Sequence, residues 1–482
     1  MNTQYHERNI SMVMDMYELT MSNGYLNQGF KDTWVAFDVF YRNNPDNGGF
    51  AIFAGLQQVV EYIENLHFSE EDVEYLRSKR LFTEEFLEYL LHFQFRGDIY
   101  AMKEGTVMYP NEPVMTVVAP LIDAQLIETT ILLEINHQSL IATKTNRIVQ
   151  AANGKPVSDF GARRAHNVDA AVYGARAAYI GGAAGTATVL AGKMFHIPIS
   201  GTMAHSWVMT FDSEYDAFKA YAESYPDGTV LLVDTYDVLK SGVPNAIRTA
   251  REVLEPMGKK LIGIRLDSGD LAYLSKEARK MLDEAGLSDC MIVASNSLDE
   301  YTISSLNRQG AKIDSYGVGE RLITSSSTPV FGAVYKLVAI QKDGKFIPKI
   351  KISETAEKIT NPGIKEVYRV YDENGKAVAD YLAVKGEQIR DFDPVRYVDP
   401  VNYWKNRSFV GCRFKKLQVP VFEKGKRIYD LPDIEEIRQY VKDQLENEIW
   451  EEEQRFENAH THYLDMSPAM FELKMSLLHE EN

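Results

Sequence analysis

Between Pro156 and Gly319, short apolar runs repeatedly end in a cluster of polar or glycine residues. The segments are Pro156-Val-Ser-Asp-Phe-Gly-Ala-Arg-Arg-Ala-His166, Ile197-Pro-Ile-Ser-Gly-Thr-Met-Ala-His-Ser206, Val230-Leu-Leu-Val-Asp-Thr-Tyr-Asp237, Leu261-Ile-Gly-Ile-Arg-Leu-Asp-Ser-Gly-Asp270, Met291-Ile-Val-Ala-Ser-Asn-Ser297 and Ile313-Asp-Ser-Tyr-Gly-Val-Gly319. Parallel strands buried on both faces read as continuous apolar runs, and in such folds the chemistry collects at their carboxyl ends. Residues 243–257 and 271–284 show apolar positions at helical spacing and stop at Gly258 and Gly286, where glycine supplies the left-handed turn that ends a helix. Strand, loop and helix thus alternate, and residues 333–340 offer a seventh strand. The pattern predicts an α/β barrel-like fold, although strands alternating with helices also describe an open doubly wound sheet.

A chain of 482 residues exceeds what one hydrophobic core usually organises, and its texture divides in three. Residues 1–150 mix helix (11–26, 83–93, and a long one over 124–152) with strands at 33–41, 98–101 and 114–118, forming an α/β cap or partner-contacting domain. Residues 151–340 carry the barrel-like repeat. From 341 to 482 the chain is turn-rich: Lys342-Asp-Gly-Lys345 and Asp372-Glu-Asn-Gly-Lys376 read as hairpin turns. An acidic helix over 434–456 follows, its Glu448 and Glu451 to Glu453 read as a solvated face.

The formal charge of −17 disfavours a nucleic-acid surface, so any anionic ligand must be held by specific donors. Two cysteines, Cys290 and Cys412, suit a reducing compartment and leave no disulfide framework or cysteine-rich zinc site. The N-terminal stretch with Asn2, Gln4, His6 and Glu7 lacks the regions of a signal peptide. No apolar run approaches the ~20 residues of a membrane span. The expectation is a cytoplasmic protein that binds neither membrane nor nucleic acid.

The strand ends hold the chemistry. Gly317-Val-Gly319 is a short glycine turn able to aim backbone amides at a phosphate, or simply a tight turn. There is no Walker A loop and no dinucleotide fingerprint. Arg265 and Asp267, two apart on one strand, leave the same face; they suit a polar substrate or form a structural ion pair. Asp270 stands where it would cap the next helix. Asp159, Arg163, Arg164 and His166 follow another strand, and the two arginines offer planar forks for phosphate. His205 lies past a strand end, as a satisfied core or capping histidine or as a catalytic one. No lysine ends a strand where an aldolase Schiff base would need it.

Taken together, Asp159-Phe-Gly-Ala-Arg-Arg-Ala-His166, Gly201-Thr-Met-Ala-His-Ser206, Ile264-Arg-Leu-Asp-Ser-Gly-Asp-Leu271 and Tyr316-Gly-Val-Gly319 resemble the nicotinate phosphoribosyltransferase family. The resemblance extends to Asp15-Met-Tyr-Glu-Leu-Thr-Met21 and Glu357-Lys-Ile-Thr-Asn-Pro-Gly363, and so covers nearly the whole chain. It implies an incomplete (β/α) barrel with an additional α/β domain, and active sites shared across a homodimer. It also implies phosphoribosyl transfer from 5-phosphoribosyl 1-pyrophosphate to nicotinate, coupled to ATP hydrolysis through a phosphohistidine at His205. Phe160 and Tyr17 match the stacking pair, Tyr17 coming from the neighbouring subunit; Thr202 and Arg265 match nicotinate-binding positions. Arg163 with Mg2+ would meet the pyrophosphate, Asp267 would stabilise the sugar or hold the metal, and Gly317, Gly319 and Thr360 would hold the 5-phosphate. The alternatives are a related enzyme using nicotinamide or quinolinate, and a non-catalytic ligand-binding barrel. Ala162, Arg164, His166 and Thr202 resemble the nicotinate branch, and a binding-only pocket has no need of Asp267 and His205 beside a phosphate turn.

Overall fold

A computed structural model describes residues 8–355 and 358–480. The N-terminal positions Asn2, Gln4, His6 and Glu7, and Glu357 of the motif in the last third, lie outside the described residues. The chain forms two compact units, residues 141–329 and residues 1–140 together with 330–482.

The 141–329 unit is built on six parallel strands. In spatial order they are Gly185–Thr186, Val157–Asp159, Ser315–Val318, Met291–Ala294, Gly263–Leu266 and Val230–Leu232. The two outer strands do not pair with each other, so the sheet is an incomplete barrel. Five of the six apolar runs become these strands. The run at Ile197 contributes only an isolated parallel bridge between Thr186 and Ile199, and the short Gly185–Thr186 strand takes the edge instead. Helix Leu271–Glu284 starts at Asp270, whose carboxylate accepts from the Tyr273 N–H at 3.0 Å, a cap that satisfies a donor otherwise orphaned at the helix start. Residues 243–257 form one helical run that passes from α through a π turn to 3-10 geometry and ends at Gly258, φ 68°.

In the other unit, the first and last parts of the chain share one seven-stranded sheet. Trp34–Phe40 lies between Met115–Pro120 and Val334–Lys342, antiparallel to both, and Gln418–Glu423 pairs with Asp98–Met102. One sequence expectation changes here. The candidate seventh barrel strand at 333–340 belongs to this antiparallel sheet, because its apolar residues pair with Val35, Phe37 and Val39 rather than with a parallel neighbour. Of the C-terminal strands, Lys345–Pro348, Gln418–Glu423 and Lys426–Arg427 join this sheet, while Asn406–Phe409, Val395–Val398, Leu464–Met466, Ala377–Val384, Lys365–Tyr371 and Arg413–Lys416, in that spatial order, form a six-stranded sheet of their own. The hairpin readings match observed turns: Asp343 and Gly344 carry φ of 51° and 76° between two paired strands, and Gly375, φ 79°, turns the next pair.

The acidic segment also departs from expectation. An α-helix spans Ile434–Asp443 and a π turn Gln444–Glu448, but Glu451 to Glu453 lie beyond it. Glu453 is buried: the Tyr109 hydroxyl donates to it at 2.6 Å and the His462 ring lies 3.0 Å away through Nδ1. Glu448 accepts from the Tyr371 hydroxyl at 2.7 Å. Glu448 is half-buried and Glu451 and Glu452 are exposed as expected, so Glu453 alone departs from a solvated face. Glu453 joins a buried network in which Arg369 grips Asp380 through two bonds of 2.9 and 2.8 Å, and Asp380 lies 3.5 Å from His462 Nε2. Hydrophobic residues reveal themselves by period; a charge that will be buried by remote chain does not.

Candidate functional site

Eight of the ten site residues expected from sequence lie in the 141–329 unit: Phe160, Arg163, Thr202, His205, Arg265, Asp267, Gly317 and Gly319. Five of them form a connected group at the strand ends. Arg265, on Gly263–Leu266, extends its guanidinium to Asp267 Oδ1 (2.8 Å), Thr202 Oγ1 (3.0 Å), the Met203 carbonyl (3.4 Å) and Ser295 Oγ (2.8 Å). Asp267 Oδ2 faces His205 Nε2 at 3.8 Å, and His205 Nδ1 lies 3.1 Å from Thr235 Oγ1. The Arg265 guanidinium carbon stands 5.6 Å from the centroid of the Phe160 ring, so a flat aromatic face and a cation adjoin.

This group is polar without being sealed. The His205 side chain is 40% exposed, Asp267 29% and Arg265 15%. Burial opposes the charge on Asp267, but the bonds from Ser295 and Arg265 outweigh it and hold the carboxyl below the usual carboxylate range. Asp267 is therefore ionised at neutral pH. Cys290, by contrast, is plain core: it is buried, and burial pushes its thiol up to about 12.

The glycines act differently from the turn read in sequence. Gly317 lies within the strand Ser315–Val318, and a Cβ there would run into the Phe160 ring; its missing side chain makes room for that ring. Gly319 precedes the four-residue helix Glu320–Ile323, and a Cβ on it would come within 3.0 Å of the Phe160 carbonyl oxygen. Both glycines thus set where Phe160 sits. Asp159, buried, fixes the start of the following turn by accepting from the Gly161 N–H at 2.8 Å and the Thr186 hydroxyl at 2.7 Å. Beyond it, Arg164 reaches Glu320 at 3.6 Å, whereas Arg163 is exposed and without an ion pair among the described residues.

The remaining two residues lie in the other unit. Tyr17, on helix Met16–Asn27, is 42% exposed beside exposed Met16 and Met21, and burial together with Glu128 raises its hydroxyl's pKa. Thr360 is buried, and its hydroxyl oxygen accepts from the Lys351 N–H at 3.0 Å.

Three side chains that sequence reasoning did not single out complete the group. Thr235 and Ser295 are described above. Asp234 Oδ2 accepts from the Asp267 N–H at 3.0 Å and from the Ser268 hydroxyl at 2.5 Å, while its buried Oδ1 has no hydrogen-bond partner. Each is one or two residues past an apolar run, the signal by which they could have been found. An unpaired carboxylate oxygen beside a second carboxylate suits a hard cation, and Mg2+ typically takes only one or two protein carboxylates, the rest coming from phosphates and water. Among the described residues no group of three or more His, Cys, Asp or Glu side chains is arranged to hold a metal ion. Nor is any helix among them long and apolar enough to cross a membrane.

Comparison with known proteins gives a concordant result along the whole chain. Models of the nicotinate phosphoribosyltransferase N-terminal domain, of the family itself and of its C-terminal domain match residues 12–136, 156–374 and 364–474. The nicotinate phosphoribosyltransferase of Bacillus subtilis (strain 168) is 46% identical over 477 residues, spanning 99% of this chain and 96% of that protein. That of Dictyostelium discoideum is 36% identical over 517 residues, spanning 96% and 87%. The crystal structure of human nicotinic acid phosphoribosyltransferase is similar with a TM-score of 0.86 at 27% identity, over 96% of this chain and 99% of that one.

Proposed function

The chain belongs to the nicotinate phosphoribosyltransferase family, and from that premise we propose that it transfers the phosphoribosyl group of 5-phosphoribosyl 1-pyrophosphate to nicotinate. The products are nicotinate mononucleotide and pyrophosphate, a step of NAD biosynthesis and salvage. The observation that carries this reading is the pairing of Arg265 with Thr202 beside the face of Phe160. A flat, electron-poor carboxylate needs an aromatic surface, a cation and a hydroxyl together.

On this reading nicotinate lies against Phe160 with its carboxylate toward Arg265 and Thr202, and the partner subunit's Tyr17 closes the other face of the ring. The exposed apolar residues around Tyr17 favour a partner there. Positive charge growing at the ribose anomeric carbon is met by ionised Asp267, already oriented, so no reorganisation is needed at the moment of transfer. Arg163 receives the departing pyrophosphate, and the backbone at Gly317 and Gly319, besides seating Phe160, meets the 5-phosphate. Magnesium, held by Asp267 and Asp234, would neutralise charge on the leaving group.

ATP coupling forms the second half of the proposal. His205 is the phosphoryl acceptor: its Nδ1 is oriented by Thr235 and its Nε2 faces Asp267. A phosphoryl group there adds negative charge and acceptor oxygens that reorder nearby loops. The enzyme is then a cytoplasmic homodimer with ATP as co-substrate.

The test is product formation by the purified chain with phosphoribosyl pyrophosphate and magnesium, comparing nicotinate, nicotinamide and quinolinate, each with and without ATP. Nicotinate mononucleotide from nicotinate alone, stimulated by ATP, is the expected result. Turnover of another ring would move the specificity, and no turnover of any would favour a binding-only barrel. His205→Ala is expected to abolish nicotinate-stimulated ATP hydrolysis and keep some uncoupled transfer; ATP hydrolysis persisting in that variant would remove the phosphohistidine.

A further inference from the structure

We propose that Ser295 is a positioning residue that locks the Arg265 guanidinium and the Asp267 carboxylate into one geometry, so that nicotinate recognition and transfer depend on a hydroxyl that touches neither substrate. The proposal rests on the functional reading above and adds to it a residue outside the family motifs quoted from the sequence.

Its basis is the sheet register. Ala294 lies opposite Leu266 in the parallel ladder, and the Ser295 N–H donates to the Leu266 carbonyl at 2.9 Å, one rung beyond the strand end. This carries the Ser295 side chain, 3% exposed, level with the interval between Arg265 and Asp267. A serine hydroxyl has one proton and two lone pairs, and here both roles are used. The oxygen accepts from Arg265 Nε at 2.8 Å, and the proton goes to Asp267 Oδ1. With the direct bond from Arg265 to Asp267 Oδ1 at 2.8 Å, the three groups close a triangle.

The triangle decides what remains outward. It commits Asp267 Oδ1 and leaves Oδ2 toward His205; it holds the guanidinium plane so that the remaining nitrogen meets Thr202. Without the hydroxyl, one direct bond remains between Arg265 and Asp267, and the guanidinium can turn about its last torsions with its Nε–H unpaired.

Two measurements on the full-length chain decide the matter. In protein labelled with 15N-arginine, the Arg265 Nε–H resonance, assigned by its disappearance in Arg265→Lys, is expected in slow exchange in the wild type and lost to fast exchange in Ser295→Ala. In steady-state kinetics Ser295→Ala is expected to lower kcat/KM for nicotinate about ten- to a hundredfold. The KM for phosphoribosyl pyrophosphate should stay within about twofold, with Ser295→Thr recovering much of the loss. An unshifted, slowly exchanging Nε–H in Ser295→Ala, or unchanged nicotinate kinetics, would overturn the proposal. Should the wild type transfer to no ring at all, the functional reading falls instead, and the arginine resonance still reports whether Ser295 holds Arg265.

Discussion

The two units hold charges in opposite ways. In residues 141–329, Arg265, Asp267 and His205 meet at strand ends with part of each side chain open to water, and His205 approaches Asp267 only to 3.8 Å. In the other unit Arg369, Asp380, Glu453 and His462 are buried, and Arg369 alone makes two bonds to Asp380. A charge shut away from water with its counter-charge meets no ligand and serves to specify packing. A charge held by neighbours but left open keeps an atom for chemistry. The difference predicts that substitutions in the first group change turnover at constant stability, and those in the second change stability at constant turnover.

The largest effect should come from Asp267→Asn. It preserves shape and removes the charge proposed to meet the anomeric carbon, so kcat is expected to fall by about a hundred- to a thousandfold with thermal stability unchanged. Retained turnover and magnesium dependence would show that Asp267 belongs with the structural charges.

Asp380→Asn is the matching experiment in the buried group. It leaves Arg369 enclosed without its counter-charge, and a loss of about 3–5 kcal/mol in denaturant-induced unfolding is expected, with kcat of the folded fraction as in the wild type. A mild loss of stability joined to a large loss of turnover would erase the contrast.

Gly317→Ala tests an uncharged member of the site. A Cβ at that position displaces the Phe160 ring, and the KM for nicotinate is expected to rise about two- to tenfold with stability little altered. An unchanged KM would detach Phe160 from ring binding.

A smaller effect is expected from pH. Burial alone would lower the pKa of His462, but Asp380 and Glu453 outweigh it and raise the value above the ordinary 6.5. The stabilisation gained is fully present below the ordinary value and is lost as pH rises through the raised one. Unfolding free energy should thus decline above about pH 6.5 more steeply in the wild type than in His462→Gln. Equal slopes would mean that this histidine is neutral in the fold.

How much of the site was legible depends on how local its signal is. Arg265 and Asp267 share a strand face because a strand has period two, and the structure joins them directly. Thr202 and His205 follow the weakest of the apolar runs, yet the residues past it still reach Arg265 and Asp267. Ser295 and Asp234 were passed over because serine and aspartate after a strand are ordinary turn residues; what distinguishes them is the register of the adjacent strand. Glu453 was misread for a related reason: an acidic run looks solvated until Tyr109 and His462, each remote or across a turn, enclose it.

The sequence by itself determined the alternation of buried parallel strands with helices over 156–319, the helix stops at Gly258 and Gly286, the hairpin turns, and the motifs that carry the family. These are properties of period, backbone freedom and residue order, all contained in a few consecutive residues. Only the tertiary structure decided that Val334–Lys342 pairs with Trp34–Phe40 instead of extending the barrel, that Gly317 makes room for an aromatic ring, and that Ser295 closes on Arg265 and Asp267. Such facts depend on which distant segment supplies the neighbouring strand, and apolar strands of similar length offer many pairings from which only packing of the whole chain selects.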